Sequence, residues 1–318
     1  MSTNVRSRAA RWLMPLFVLL SGTASADTIK IGWLSSLTGP LSSAAIAENK
    51  GVEFAVEEIN AAGGVLGRKL ELVTRDTAGD PTKAVSLAQQ LVFSEKVNFV
   101  IGPVNSGESL ATVPIVSRAG IPNLVIGTID ELVDPRKYPR AFRAINTNRQ
   151  WIEAANDYAL KVLKKSRVAI IGDTTGYGTS SAKTAAELLE KAGVKPVFST
   201  LVDPNKTDLT DEMNKAKAAG ADVLMPWSAA TGLLGRLINT RGDMGWSVPI
   251  VGHPSVMAPA IKKLINKPQY WENTFAAGPV STTYKADGKL PERTQALVDK
   301  LRPRMGGGEI DYLFWWVA

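Results

Sequence analysis

Residues Phe99 to Ser109 read FVIGPVNSGES: an apolar run stopped by Gly102 and Pro103, then Asn105, Ser106, Gly107, Glu108 and Ser109 with nothing bulky among them. A short apolar run closed by Gly and Pro reads as a buried strand, and a Ser/Asn/Gly cluster ahead of LATVPIVSRAG reads as the capped start of a helix. Such a loop presents free backbone N–H groups that suit an anion. It lacks the lysine and glycine spacing of a phosphate cradle, and no base lies nearby to activate a nucleophile.

Outward from this stretch the chain alternates two kinds of segment. TIKIGWLSS is strand-like, and AENKGVEFAVEEINAAGG places Val52, Ala55, Val56 and Ile59 at helical spacing before a Gly-Gly stop. RKLELVTRDT alternates Leu70 and Leu72 as a strand does, and DPTKAVSLAQQLVFSEK opens with an Asp80 cap and Pro81 in its first turn. Ala84, Ala88 and Leu91 then share one face. The strand VNFVIGPV, its helix and the strand GIPNLVIGT complete the run. The same alternation restarts at RQWIEAANDYALKVLKKS and continues through RVAIIGD, ADVLMPW and VPIVGHP with helices between. Strands separated by about ten to fifteen helical residues imply βαβ units and parallel sheets. Two such runs imply two Rossmann-like α/β lobes. The polar join RAFRAINTNRQ reads as a hinge crossing, and WENTFAAGPVSTTYKADGK as a second.

The first 26 residues read as a secretory signal peptide. Arg6, Arg8 and Arg11 precede the apolar run WLMPLFVLL, and Ala24 to Ala26 supply a cleavage site before Asp27. The run is short of the roughly 20 residues that span a bilayer. Export to the periplasm is expected. The 318 residues carry 37 basic and 30 acidic side chains, a net charge of +7, and loss of the three arginines lowers it to +4. LKKSR and IKKL are short and read as solvated helix surface, so no nucleic-acid partner is expected. The absence of cysteine excludes disulfides, thiolate chemistry and zinc-thiolate sites.

IKIGWLSSLTGPLSS, GVEFAVEEINAAGGVLGRKLELVTRDTAGDPTKAV, VNFVIGPVNSG and RVAIIGDTTGYGTS together resemble the substrate-binding proteins of branched-chain amino acid (Leu/Ile/Val) type ABC transporters. EEINAAGGVLGRKLEL is the most specific part, and the resemblance runs from about Thr28 to the chain's end. It implies the type I periplasmic binding protein fold, in which two lobes joined by a hinge close on a small ligand like a flytrap. Lobe 1 is expected over 27–146 and again from about 281 to 318, with lobe 2 over 147–280. EIDYLFWWVA falls inside what the resemblance makes a late helix of lobe 1, so a C-terminal truncation is also expected.

The resemblance further implies a carboxylate seat: Ser106 with the backbone near Asn105 after the third strand, and Thr128 with the backbone of Ile126 and Gly127 after the fourth. Ser106 reads equally as a plain helix cap. Where amino acid binders of the family place an acid for the ligand ammonium, this chain has His253 or Pro254, and where they place a second tyrosine it has Ala229. A buried ammonium without a carboxylate is costly, which favours an aromatic or branched aliphatic acid without an α-ammonium. Tyr177 matches the family's pocket tyrosine. Trp227 reads as a flat cleft wall or as core, and His253 as a ligand contact or a structural group. Asp130 and Glu131 read as a salt bridge across the cleft or as solvated loop acids.

Enzyme chemistry has few parts here. There is one histidine, no G-x-S-x-G elbow, and GDTTGYG is neither a P-loop nor a dinucleotide fingerprint, so no enzyme activity, cofactor or metal is expected. The remaining readings are delivery of a small carboxylate to a membrane permease by a monomer, the same role for a branched-chain or other amino acid, and ligand sensing for a membrane receptor.

Overall fold

The computed structural model describes residues 28–305 together with Ile310 and Leu313; the expected signal segment and its cleavage site lie outside the described residues. In the first lobe β1 (Ile29–Ser35), β2 (Leu70–Asp76), β3 (Phe99–Ile101), β4 (Asn123–Val125) and β5 (Ala141–Arg143) form a five-stranded sheet in the order β2-β1-β3-β4-β5. Every pairing is parallel. Helices α1 (Ser42–Ala61), α2 (Pro81–Gln89) and α3 (Ser106–Arg118) supply the first three crossovers. From β4 to β5 the chain makes only a short turn at Asp130–Val133.

The chain then enters the second lobe through α4 (Asn148–Asp157). There β6 (Val168–Asp173), β7 (Phe198–Val202), β8 (Val223–Trp227), β9 (Ile250–Gly252) and β10 (Thr274–Ala276) pair in parallel in the order β10-β9-β8-β6-β7. Helices α5 (Gly176–Lys191), α6 (Thr210–Ala218), α7 (Thr231–Asp243) and the single turn α8 (Pro259–Lys262) connect them. Counted from its own first strand, each sheet has the same order. Each therefore reverses direction between its first and third strands, β1/β3 and β6/β8, and ligands of such sheets bind beyond the strand ends at that reversal.

Local signals explain much of this. The Asp80 carboxylate accepts from the backbone N–H of Thr82 at 2.7 Å and of Lys83 at 3.2 Å, capping α2 as its sequence predicts. Ala84, Ala88 and Leu91 are fully buried on the expected face. The face expected of α1 is corrected. Ala44, Ala45, Ala47, Glu48 and Phe54 are the buried residues, whereas Ile59 is exposed. The reason is tertiary: α9 (Glu292–Leu301) returns to α1, and Phe54 packs with Leu290, Val298 and Leu301. The two joins read as hinge crossings also hold regular structure, because RAFRA contains β5 and NTFAA contains β10, each a three-residue edge strand.

All of β6 and β8 is buried, as expected of central parallel strands covered on both faces. The lobes lie against each other. Leu41 of the first lobe joins the core of the second, beside Ala230 and Leu233, while Ala44 and Ala47 belong to a cluster with Trp151 and Ala258. No helix among the described residues is long and apolar enough to cross a membrane.

Candidate functional site

Between the lobes, at the carboxyl ends of both sheets, lies a small cavity. Its first-lobe wall is Leu41 and Ala44 after β1, Val104, Asn105 and Ser106 after β3, and Thr128 after β4. Its second-lobe wall is Tyr177 after β6, Ala229 after β8 and His253 after β9. The cavity thus joins the reversal points of the two sheets.

On the first-lobe side the cap of α3 is Asn105, whose side chain accepts from the Gly107 N–H at 2.8 Å. This leaves Ser106 a different task. Its hydroxyl accepts the backbone N–H of Thr128 at 3.1 Å and so joins the loops after β3 and β4. The Thr128 hydroxyl is buried and has no hydrogen-bond partner among the described residues. Its carbonyl accepts the N–H of Asn148 at 2.8 Å, at the start of α4. The Ser106 hydroxyl at the start of α3 and the Thr128 hydroxyl after β4 are the short polar groups on this wall, of the kind that can meet an anion with hydrogen bonds in place of a full counter-charge.

On the second-lobe side His253 is almost fully buried, and burial alone lowers its pKa to about 3, so the imidazole is neutral. The Ser255 N–H points at Nδ1 from 3.2 Å, which makes Nδ1 the acceptor and places the ring proton on Nε2. The ring lies edge-on to Trp151, with centroids 4.7 Å apart, and to Tyr177 at 5.2 Å. The Tyr177 hydroxyl is buried without a hydrogen-bond partner among the described residues, and burial pushes its pKa up. No acidic side chain is among the described residues that line the cavity.

Not every residue expected at the site lines it. Trp227 is fully buried in the second lobe's core with Ile170, Met225 and Val251, so the structure places it in the interior. Ile126 packs with Trp33 and Ala44 under the seat, and Gly127 is pressed against Leu132 and Ser109, where a Cβ would lie 2.7 Å from the serine hydroxyl. Pro254 opens the turn after His253 and lines a separate groove with Met257 and Tyr284. Asp130 meets Arg149 at 3.2 Å, an ion pair from the β4 loop to α4 with both side chains nearly half exposed.

Leu41, Ala44 and Val104 are lining residues that sequence reasoning missed, and nothing in their type marks them. Glu48 was missed too. It sits one helical turn beyond Ala44, neither carboxylate oxygen has a hydrogen-bond partner among the described residues, and burial holds its pKa well above the usual range.

A family profile described as periplasmic binding protein matches residues 28–314. A Leu/Ile/Val-binding protein homologue of Brucella melitensis is 31% identical over 287 residues, covering 88% of this chain and 74% of that protein. Among solved structures, the branched-chain amino acid transporter substrate-binding protein of Streptococcus pneumoniae in complex with isoleucine has a TM-score of 0.78 at 24% identity, covering 91% of this chain and 80% of the other. A solute-binding protein of an ABC transporter from R. palustris, in complex with benzoate, also has a TM-score of 0.78, at 20% identity and with coverage of 91% and 76%. With two parallel-sheet lobes closed over one cavity and a family match along nearly its whole length, the chain belongs to the periplasmic binding protein family.

Proposed function

We propose that this protein captures a small carboxylate without an α-ammonium, an aromatic or branched aliphatic acid, and delivers it to a membrane permease. The observation that carries the reading is the contrast between the two cavity walls. The first lobe offers Ser106, Thr128 and the start of α3 to an anion, whereas the second offers the neutral ring of His253 and the apolar Ala229. An ammonium buried there would meet no carboxylate from the lining residues, at a cost of several kcal/mol on the order known for unpaired buried ions. The flat, edge-on rings of Trp151, His253 and Tyr177 suit an aromatic ring or a branched alkyl group.

Ligand capture then follows closure. The acid docks on the first lobe, and His253 and Tyr177 complete the cage when the second lobe swings in, so the closed population rises with occupancy. The permease is proposed to recognise the closed form. A second reading, capture of a branched-chain amino acid, is favoured by the relative named for Leu/Ile/Val binding and the neighbour solved with isoleucine. Calorimetry with benzoate, 4-hydroxybenzoate, 2-oxoisocaproate and L-leucine separates the two. The carboxylate reading expects one of the first three acids to bind at least a hundredfold tighter than leucine, and tighter binding of leucine overturns it.

A further inference from the structure

The first turns of α3 and α5, one from each lobe, meet at Gly107 and Gly176. A Cβ built on Gly176 would lie 2.6 Å from the backbone nitrogen of Gly107 and closer still to its Cα, with Asn105 Oδ1 at 3.6 Å. These three nearest neighbours all belong to the first lobe. Gly176 does not have a positive φ, so its own lobe places no demand on it for glycine. Position 176 is the first residue of α5, where Thr175 already caps the helix by accepting the N–H of Gly178. An alanine there fits the isolated second lobe.

The obstacle on the other side is backbone. Gly107 lies in the first turn of α3, held by the Asn105 side chain at 2.8 Å, and cannot rotate away as the end of a flexible side chain would. The contact is asymmetric. A Cβ on Gly107 would meet Gly176 Cα at 3.1 Å and its nitrogen at 3.3 Å, tight but within reach of a small adjustment.

The geometry points to Gly176 as the residue that permits full closure: the missing side chain lets the α5 start seat against the α3 start, and this contact sets how far the lobes close over the cavity. Gly176 precedes Tyr177, so the same contact fixes how deeply the tyrosine ring enters. Gly176 acts as a positioning residue, because it lies outside the cavity lining and works through Tyr177 and the lobe angle. The inference rests on closure around a solute and not on the chemistry of that solute.

Because the chain has no cysteine, Lys83→Cys and Lys217→Cys, exposed positions on α2 and α6, give one spin-label pair across the lobes. Pulsed electron resonance is measured on the ligand-free protein and with 4-hydroxybenzoate or L-leucine as probes. Wild type is expected to show a short-distance population that Gly176→Ala loses in favour of longer distances. The variant should also bind whichever probe wild type binds at least tenfold more weakly, and Gly107→Ala only about two- to fourfold. An unchanged circular-dichroism melt shows that both lobes of Gly176→Ala still fold. An identical distance distribution in Gly176→Ala overturns the inference, as does a wild type without a short-distance population in any of these conditions. The ligand-free distances decide the matter even where neither probe binds, so a wrong ligand assignment and a wrong closure contact give different results.

Discussion

The Ser106 hydroxyl and the Thr128 backbone N–H are hydrogen-bonded at 3.1 Å, and this bond joins the two first-lobe loops that face the cavity. Ser106→Ala removes a donor from the seat and leaves the Thr128 N–H without its acceptor. Affinity for the bound carboxylate should fall by about 1 to 2 kcal/mol, roughly five- to thirtyfold. Titration calorimetry measures this, and an unchanged dissociation constant removes Ser106 from the seat.

His253 gives the fold an acid-side sensitivity. Its folded pKa of about 3 lies below the ordinary histidine value, so between those values the unfolded chain binds the extra proton. The stability it contributes is complete above about pH 6.5 and declines by up to about 1.4 kcal/mol per pH unit as the medium is acidified toward pH 3. Denaturant melts from pH 7.5 to 4.5 should show a shallower loss in His253→Gln than in wild type. Parallel curves would mean that the ring titrates alike in both states.

Glu48 acts in the opposite sense. Burial raises its folded pKa, so the folded chain keeps a proton that the unfolded chain releases above its ordinary value, and stability is lost as pH rises toward the folded pKa. Glu48→Gln keeps the shape and removes the titration. At pH 8 its melting midpoint should exceed that of wild type by roughly 2 to 4 °C, the scale of about 1 kcal/mol. The gain should vanish near pH 4, and a lower midpoint at pH 8 would show that the carboxylate is charged and useful.

Trp227 separates core from cleft. In the interior, Trp227→Ala should cost about 3 to 5 kcal/mol of stability. The milder Trp227→Phe should lower the melting midpoint while leaving ligand affinity within about twofold. A large loss of affinity at an unchanged midpoint would return Trp227 to the cavity wall.

The α/β alternation was legible because parallel strands and their crossover helices write different periods into the sequence, and Asp80 announced its helix through its cap. β5 and β10 were not legible. Three-residue edge strands carry too few side chains for a period, and Phe142 of β5 is more than half exposed. The inward face of α1 was misjudged because α9, more than 200 residues later, decides which side Phe54 covers. Trp227 was ambiguous for the reason that β8 is buried on both faces, where apolarity says nothing about which face looks toward a ligand. Ser106, Thr128, Tyr177, Ala229 and His253 come together at one cavity because loops at the carboxyl ends of parallel strands share one edge of each lobe.

The carbonyl of Thr128 takes the N–H of Asn148, where the chain passes into the second lobe, while the N–H of the same residue reaches Ser106. One residue therefore lines the cavity and also holds the first turn of the helix that leads into the second lobe. On the proposed reading, a guest that drew the Ser106 hydroxyl toward itself would pull on the residue that holds the start of α4. Binding and bending would then share a single mechanical part, with no train of side chains needed to carry the message between them.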